Sequence, residues 1–239
     1  MNIVSISNVS KNYKTITALK NLDLDIKQGE LFGLLGINGA GKTTLIKILC
    51  GLCKKNDGKV FIDGLDLDKD IDKIKEIVDI SPQETSIALN LTVKENLEFF
   101  ANVYNKSTKQ DIDDIINIFS LTQVLDQRAK TLSGGFKRRL SIAVALISKP
   151  KLLFLDEPTL GLDVFARREL WNIINKLKGK ITIVLTSHYL EEIESLCDRV
   201  AILSKGKLLA VGEIEQIKQS AKAQTFENAF ISLVESANE

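Results

Sequence analysis

Residues 36 to 44 read GINGAGKTT and place three glycines, one lysine and two threonines within nine positions. The stretch satisfies the pattern G-x-x-x-x-G-K-[ST], typical of loops that hold nucleoside phosphates, at Gly36, Gly41, Lys42 and Thr43. Glycines allow the backbone to curl so that its N–H groups face a phosphate chain, and a following helix adds its dipole. Lys42 can bridge the β- and γ-phosphates, and Thr43 can offer its hydroxyl to Mg²⁺. The stretch therefore predicts a site for a nucleoside triphosphate.

A second stretch with chemistry lies at residues 151 to 159, which read KLLFLDEPT. Its apolar run ends in two adjacent carboxylates, Asp156 and Glu157, which are costly to bury unless a metal or an opposite charge awaits them. Asp156 is suited to hold Mg²⁺ through water, and Glu157 is suited to orient or deprotonate an attacking water. The pair therefore predicts hydrolysis of the triphosphate rather than binding alone.

Strand-like runs must position both stretches. Several of these runs are apolar on both faces, as strands of a buried parallel sheet are. The strand-like runs of the whole chain are ELFGLL at 30 to 35, KVFID at 59 to 63, KLLFL at 151 to 155, ITIVLTS at 181 to 187 and RVAILSKGKLLAVG at 199 to 212. The last run is predicted to fold back at SKG as a hairpin. Because helical stretches follow most of the runs, the pattern indicates an α/β fold.

Residues 92 to 148 have helical periodicity instead. The spacing of Thr92 and Glu95 predicts a capping box at the start of a helix. We interpret about 84–150 as a helical subdomain inserted in the α/β core. The segment from Glu213 onward is predicted to form one or two amphipathic helices.

The composition limits the partners. The chain has 44% hydrophobic and 26% charged residues, and 32 basic against 31 acidic side chains give a net charge of +1. The net charge is therefore too small to attract nucleic acid or an anionic membrane to the protein as a whole. The longest apolar runs fall far short of the roughly 18 residues of a membrane span, and the first residues lack the apolar core of a signal peptide. We expect a cytoplasmic protein with no nucleic-acid partner.

The sequence contains three cysteines, an odd number, and its first residues do not resemble a signal peptide. Both observations suit a protein of a reducing compartment. Cys50 and Cys53 form C-x-x-C, which can serve redox chemistry or half a zinc site, but no second ligand pair and a single histidine accompany it. We therefore expect buried or helix-end thiols. Cys197 is predicted to be a helix core position.

A third stretch, LSGGFKRRL at residues 132 to 140, distinguishes among phosphate-loop proteins. Ser133 and two glycines precede a helix predicted to begin near Phe136, which makes a second helix N-terminus suited to an anion. The basic residues that follow are expected to form a solvated face. With the two earlier motifs, this stretch resembles the LSGGQ signature of ATP-binding cassette (ABC) ATPases, and the resemblance covers about residues 1 to 215.

The resemblance implies an α/β P-loop NTPase with a RecA-like parallel-sheet core, an N-terminal antiparallel β-subdomain and the inserted α-helical subdomain. It divides the chain into an ABC ATPase domain at 1–215 and a C-terminal helical tail at 216–239. Two positions depart from the family pattern. Ile37 replaces a common proline and should slightly loosen the loop. Phe136 replaces the usual glutamine of the signature.

The resemblance also implies site residues. Gln83 matches a glutamine that binds Mg²⁺ and water and senses the membrane partner, and His188 matches a switch histidine that contacts the γ-phosphate. The catalytic residues implied are Glu157, His188, Gln83 and Lys42, and the Mg²⁺ ligands are Thr43, Gln83 and Asp156. The ATP-binding residues implied are Tyr13, which resembles an adenine-stacking aromatic, Gly36, Asn38, Gly39, Ala40, Gly41, Lys42, Thr43, Thr44, Ser133, Gly134, Gly135 and Asp163.

The implied function is an ATP-hydrolysing subunit, with ATP and Mg²⁺ as cofactors, that closes head to tail with a second copy or a similar subunit. It would power a separate integral membrane permease from the inner face of the cell membrane. The ending TFENAFISLV is similar to that of bacterial ATPases that drive export of drugs, antibiotics or lipid-linked polymers. An importer subunit or a soluble regulatory ABC ATPase remains the alternative.

Two other classes of phosphate-loop enzyme fit the sequence less well. A GTPase needs [NT]-K-x-D, which TKQD at 108 to 111 matches formally. However, Ser107 and Gln110 are spaced as a capping box in a polar stretch that opens a helix, which disfavours that class. A small-molecule kinase has no reason to carry LSGG or a switch histidine.

Overall fold

The computed structural model describes residues 1–237, so positions 238 and 239 of the predicted tail lie outside the described residues. Two sheets form its framework. The first is antiparallel, in the order β2-β1-β4-β5. Its strands are β1 (Asn2–Tyr13), β2 (Ile16–Lys27), β4 (Asp57–Ile62) and β5 (Leu65–Asp66). This sheet confirms the predicted N-terminal antiparallel β-subdomain, and the strand-like run KVFID, which overlaps β4, belongs to it rather than to the parallel sheet.

The second sheet has the order β10-β9-β3-β8-β7-β6. Its strands are β3 (Leu31–Leu35), β6 (Val78–Ser81), β7 (Leu152–Asp156), β8 (Thr182–Ser187), β9 (Arg199–Ser204) and β10 (Lys207–Gly212). Neighbours from β9 to β6 pair in parallel, and β9 and β10 form the predicted antiparallel hairpin. All residues of β3, β7 and β8 are buried, which explains their continuous apolar runs.

Nine α-helices lie within residues 1–237. They are α1 (Lys42–Leu49), α2 (Ile71–Lys75), α3 (Val93–Tyr104), α4 (Lys109–Ile118), α5 (Gly134–Ile147), α6 (Val164–Leu177), α7 (Leu190–Leu196), α8 (Ile214–Ser220) and α9 (Phe226–Ser236). Helices α3 to α5 separate β6 from β7 along the chain. The predicted capping box of α3 is present, because Thr92 Oγ1 accepts from Glu95 N and Glu95 Oε2 accepts from Thr92 N.

Four local predictions were wrong. Helix α4 is capped by Thr108 and Asp111 rather than by Ser107 and Gln110, because the Ser107 hydroxyl donates to the carbonyl of Ile147 instead. The formal TKQD pattern is therefore used by a helix cap.

Helix α5 begins at Gly134 rather than near Phe136, since the hydroxyl of Ser133 accepts from Phe136 N and so caps the helix two residues earlier. The residues after the signature are not a solvated face. Arg138 and Arg139 are only 4% and 7% exposed, because α5 packs between other elements on that side. Cys197 follows α7 instead of lying within it.

The predicted boundary between residues 215 and 216 falls inside α8, and the division into domain and tail stays a prediction. Among the described residues, no helix combines the length and the apolar character needed to cross a membrane. The carboxyl ends of β3, β7 and β8 lie side by side, since Leu35 pairs with Ser187 and Asp156 pairs with Thr186. The loops after these three strands therefore meet at one edge of the sheet.

Candidate nucleotide-binding site

The phosphate loop, residues 36 to 44, follows β3 and includes the first three residues of α1. Its backbone closes on itself, with Ala40 N donating to Ile37 O at 3.1 Å. Gly41 has φ of 108°, in the region that favours glycine, and a Cβ there would lie 2.6 Å from the carbonyl oxygen of Ala18. A Cβ on Gly36 would lie 2.5 Å from the carbonyl oxygen of Leu203 on β9. The path of the loop therefore requires glycine at both positions.

Lys42 is the first residue of α1 and is 6% exposed. Its Nζ donates to the carbonyl of Gly36 at 2.6 Å and lies 3.7 Å from Glu157 Oε1. Burial lowers the pKa of Lys42, and the nearby carboxylates of Glu157 and Asp156 oppose that shift. The ammonium is thus held across the phosphate loop with little water around it.

Asp156 ends β7 and is 5% exposed. Its Oδ1 accepts from Thr186 Oγ1 at 2.6 Å, and its Oδ2 accepts from Thr43 Oγ1 at 3.4 Å. The Thr186 hydroxyl also accepts from Glu157 N at 2.9 Å. Thr186 therefore orients the carboxylate of Asp156 and fixes the backbone of Glu157, a role that sequence reasoning missed. The available signal was its place two residues before the histidine, near the end of the strand-like run ITIVLTS.

Glu157 joins three loops. Its Oε2 lies 2.7 Å from His188 Nδ1, while Oε1 faces Lys42. Its φ of 48° is in the left-handed region, where non-glycine residues are uncommon and cluster at functional sites. The carboxylate, 12% exposed, is therefore aimed by a strained backbone into the space between the ends of β7 and β8.

These groups line one cleft of about 670 Å³. It brings together most of the predicted residues: Tyr13, Asn38, Gly39, Ala40, Gly41, Lys42, Thr43, Thr44, Gln83, Glu157 and His188. Four further residues line it that sequence reasoning did not mark: Ile16, Thr17, Ala18 and Leu160. Gly36 and Asp156 lie behind the wall, in contact with Lys42 and Thr43.

Tyr13 lies at the rim of this cleft and is 44% exposed. Its hydroxyl donates to Cys53 Sγ at 3.5 Å, a contact that raises the pKa of Tyr13, and the Lys11 ammonium lies 4.8 Å from the ring centroid. Cys50 is buried, and burial raises the pKa of its thiol. Within residues 1–237, no three or more His, Cys, Asp or Glu side chains are grouped as a metal site.

Ser133, Gly135 and Asp163 do not join the nucleotide cleft. They line a separate cavity of about 290 Å³, the signature cavity, together with Gln123, Phe136, Arg139, Phe165, Ala166 and Glu169. Gly134 begins α5 beside this cavity. Asp163 caps α6 by accepting from Phe165 N and Ala166 N, both at 2.9 Å. One chain therefore carries two concave sites, each opening at a helix N-terminus.

The structure combines a parallel sheet, a phosphate loop after β3, two carboxylates at the end of β7 and a separate signature cavity. This combination defines an ABC-type ATPase cassette. The model of the family described as ABC transporter matches residues 19–160, more than half of the chain. The chain belongs to the ABC transporter family and is an ATP-binding ATPase cassette of it.

Two curated relatives support this membership. The chain is 36% identical to the Escherichia coli "Probable multidrug ABC transporter ATP-binding protein YbhF", over 97% of this chain and 42% of that protein. It is 38% identical to the Bacillus subtilis "Linearmycin resistance ATP-binding protein LnrL", over 86% of this chain and 67% of that protein. The chain thus spans about two fifths of the length of the first relative.

A solved structure has the same fold. It is a dimeric ATP-binding cassette in a post-hydrolysis state, bound to ADP and Pi. It superposes with a TM-score of 0.78 at 27% identity, covering 88% of this chain and 98% of that one.

Proposed function

We propose that this chain is the ATP-hydrolysing subunit of an exporter, which drives a separate membrane permease by closing head to tail on a second cassette. The observation that carries the proposal is the convergence of the phosphate loop, Glu157 and His188 on one cleft. Each group comes from a different loop, and binding and hydrolysis of a nucleoside triphosphate use all three.

ATP binds with its phosphates on the N–H groups of the phosphate loop and the N-terminus of α1. Lys42 turns from the carbonyl of Gly36 to the β- and γ-phosphates, which replace the solvation it lacks in the free chain. Tyr13 offers its partly exposed ring to the adenine.

The donor groups fit Mg²⁺. A hydroxyl and a carboxylate oxygen, Thr43 Oγ1 and Asp156 Oδ2, lie 3.4 Å apart at the cleft wall, and Gln83 lines the same cleft. Mg²⁺ prefers oxygen ligands and is commonly held by one or two carboxylates together with substrate phosphates. When bound, it would neutralise charge on the β- and γ-phosphates. Thr186 keeps Asp156 oriented for this task.

Hydrolysis requires removal of a proton from the attacking water. The Glu157 carboxylate is suited to accept it, since its neighbours Lys42 and His188 hold it within the cleft. His188 is suited to contact the γ-phosphate and to keep Glu157 aimed at the water. Both residues lie on loops that end buried strands, which limits their movement.

The second cassette supplies the remaining contacts. Because Ser133 and Asp163 line the signature cavity rather than the cleft, they are available to a nucleotide held by another copy. The Ser133 hydroxyl and the N-terminus of α5, which carries Gly134 and Gly135, form the second phosphate contact. The dimeric related cassette supports this arrangement, and a homodimer is the simplest form.

The permease would dock on the apolar surface around α3. Leu89, Phe99 and Val103 are 50%, 50% and 61% exposed, and they follow Gln83 in the chain. Exposed apolar side chains on a helix and in the segment just before it suit an apolar partner. The names of the two bacterial relatives favour export of drugs or antibiotics. We place the chain at the inner face of the cell membrane, with no nucleic-acid partner.

The solution mass of Glu157→Gln tests this proposal. Light scattering is recorded without nucleotide, with MgATP and with MgGTP. We expect a monomer that becomes a dimer with MgATP, because binding without hydrolysis traps the closed state. Dimerisation with MgGTP alone would contradict ATP as the ligand, and a monomer throughout would contradict closure by the chain itself.

Copurification with membrane proteins then tests the permease. We expect wild-type protein to retain a multispanning protein, and Phe99→Ser together with Val103→Ser to lose it. Association with a substrate-binding lipoprotein system would instead support an importer, and a purely soluble partner would support a regulatory ATPase.

A further inference from the structure

Arg138 is a buried arginine outside both cavities. It lies on α5, five residues after Ser133, and is 4% exposed. Within residues 1–237, no carboxylate lies within 4.0 Å of it as an ion-pair partner. The proposed reaction does not use it, and its burial therefore requires another reason.

The guanidinium of Arg138 donates to two consecutive backbone carbonyls. Nη1 contacts the carbonyl of Pro82 at 2.6 Å, and Nη2 contacts the carbonyl of Gln83 at 2.5 Å. One turn further along α5, the hydroxyls of Ser141 and Ser81 lie 3.0 Å apart. Helix α5 thus holds three consecutive residues, 81 to 83, which we call the glutamine segment.

The contact is specific to arginine. Burying a guanidinium is unfavourable unless its donors are satisfied. Burial lowers the pKa of Arg138, and the charges of Asp156 and Glu192 oppose that shift. A planar fork of donors matches two adjacent carbonyls, whereas the single ammonium of lysine cannot contact both in the same geometry.

The glutamine segment connects this contact to the nucleotide cleft. Arg138 holds the backbone of Gln83, whose exposed side chain lines the cleft. The N-terminus of α5 lies at the signature cavity, where Ser133 caps the helix. Five residues of α-helix span only about 7.5 Å, so the two ends of this connection move together.

We propose that Arg138 is a positioning residue that fixes Gln83 relative to the N-terminus of α5. The signature cavity, which would face the ATP of a second cassette, thereby sets the position of Gln83 in the cleft of its own chain. This inference rests on the proposed function, and it makes α5 the link that renders the two ATP sites of a dimer cooperative.

The test compares Arg138→Gln with Lys137→Gln, a matched control on the same helix whose side chain is only partly buried. Steady-state ATP hydrolysis is measured against ATP and against Mg²⁺. We expect Arg138→Gln to raise the Mg²⁺ concentration for half-maximal rate by ~10- to 100-fold, as loss of residues that orient metal ligands does. We also expect its Hill coefficient for ATP to fall toward one while the KM for ATP changes little.

Arg138→Lys is the conservative variant, and it should recover part of the Mg²⁺ affinity because it keeps the charge and can still donate to one of the two carbonyls. Equal Mg²⁺ dependence and equal Hill coefficients in Arg138→Gln and Lys137→Gln would overturn the inference. If both Arg138 variants lost ATP hydrolysis, ATP affinity and Mg²⁺ affinity together, Arg138 would have a role in folding only. That result would also overturn the inference.

Hydrogen exchange separates this inference from the proposed function. We expect faster exchange over residues 80 to 90 in Arg138→Gln than in Lys137→Gln, with or without nucleotide. If the wild-type protein did not hydrolyse ATP, the proposed function would fail, and exchange would still test the link. Unchanged exchange in that region would overturn the inference on its own.

Discussion

Glu157 and His188 meet through a contact of 2.7 Å between Oε2 and Nδ1. The contact joins the loops that follow two neighbouring parallel strands, β7 and β8. The other carboxylate oxygen lies 3.7 Å from Lys42 of the phosphate loop. Glu157 is therefore the side chain at which the three loops of the cleft converge, and the first prediction concerns it.

Glu157→Gln should lower ATP turnover by ~10²- to 10⁴-fold, because an amide cannot accept the proton of the attacking water. ATP affinity should remain, since the phosphate contacts are made by other residues. Phosphate release and equilibrium ATP binding measure the two effects. Glu191→Gln, an exposed change near His188, serves as the control. Turnover near the wild-type value would remove Glu157 from the role of base.

ATP binding at alkaline pH should take up protons at Lys42. Burial lowers the pKa of this group in the free chain below its ordinary value of about 10.4, and bound phosphates raise it again. Between these two pKa values, the free lysine is neutral and the bound lysine is charged, so ATP affinity should fall as pH rises through the free-state pKa.

Calorimetry at alkaline pH in buffers of different ionisation enthalpy measures this uptake, because the phosphates themselves titrate near pH 6. Lys47→Gln, an exposed change on the same helix, should keep the proton uptake, whereas Lys42→Gln should lose it. Equal uptake in the two variants would assign the proton to another group.

Gly36→Ala should destabilise the fold by about 1–3 kcal/mol, the usual cost of overpacking a well-filled site. The added Cβ would lie 2.5 Å from Leu203 O and 2.8 Å from Ala40 Cβ, so β9 or the phosphate loop must shift. Gly134→Ala is the control, since its Cβ meets nothing nearer than 3.9 Å and a helix favours alanine. In urea unfolding, the midpoint concentration should fall for Gly36→Ala and rise slightly for Gly134→Ala.

Ser133→Ala should weaken ATP-dependent dimerisation. The change also removes a helix cap, which costs about 1 kcal/mol. Thr225→Ala is matched to it, because Thr225 Oγ1 caps α9 by accepting from Asn228 N at 3.2 Å. Both variants should lose similar stability in urea, but only Ser133→Ala should lose dimer in light scattering. Equal dimerisation would argue against a contact between Ser133 and the ATP of another copy.

Tyr13→Ala should raise the KM for ATP by ~10- to 100-fold, since stacking on an aromatic ring contributes about 1–3 kcal/mol per base. Tyr13→Phe should remain close to wild type because it keeps the ring and loses only the contact with Cys53. Affinity for inorganic triphosphate should be equal in all three proteins. A loss that is the same for ATP and for triphosphate would exclude a role in reading the base.

Features set by neighbouring residues were predictable. The run KLLFLDEPT located β7 and its two carboxylates, and the spacing of Thr92 and Glu95 located the start of α3. The cap of α4 was misplaced by one residue because Ser107, Thr108, Gln110 and Asp111 offer competing local pairs. A distant acceptor, the carbonyl of Ile147, decided between them by engaging Ser107.

Motif spacing alone was sufficient to predict the phosphate loop, the paired carboxylates and the family, because backbone curvature and strand ends depend on residues close in the chain. Only tertiary structure could bring Thr186 onto Asp156, separate Ser133 and Asp163 from the cleft, and bury Arg138 against Gln83. Those contacts join residues far apart in sequence, and their geometry follows from strand register and helix packing, which no local pattern encodes.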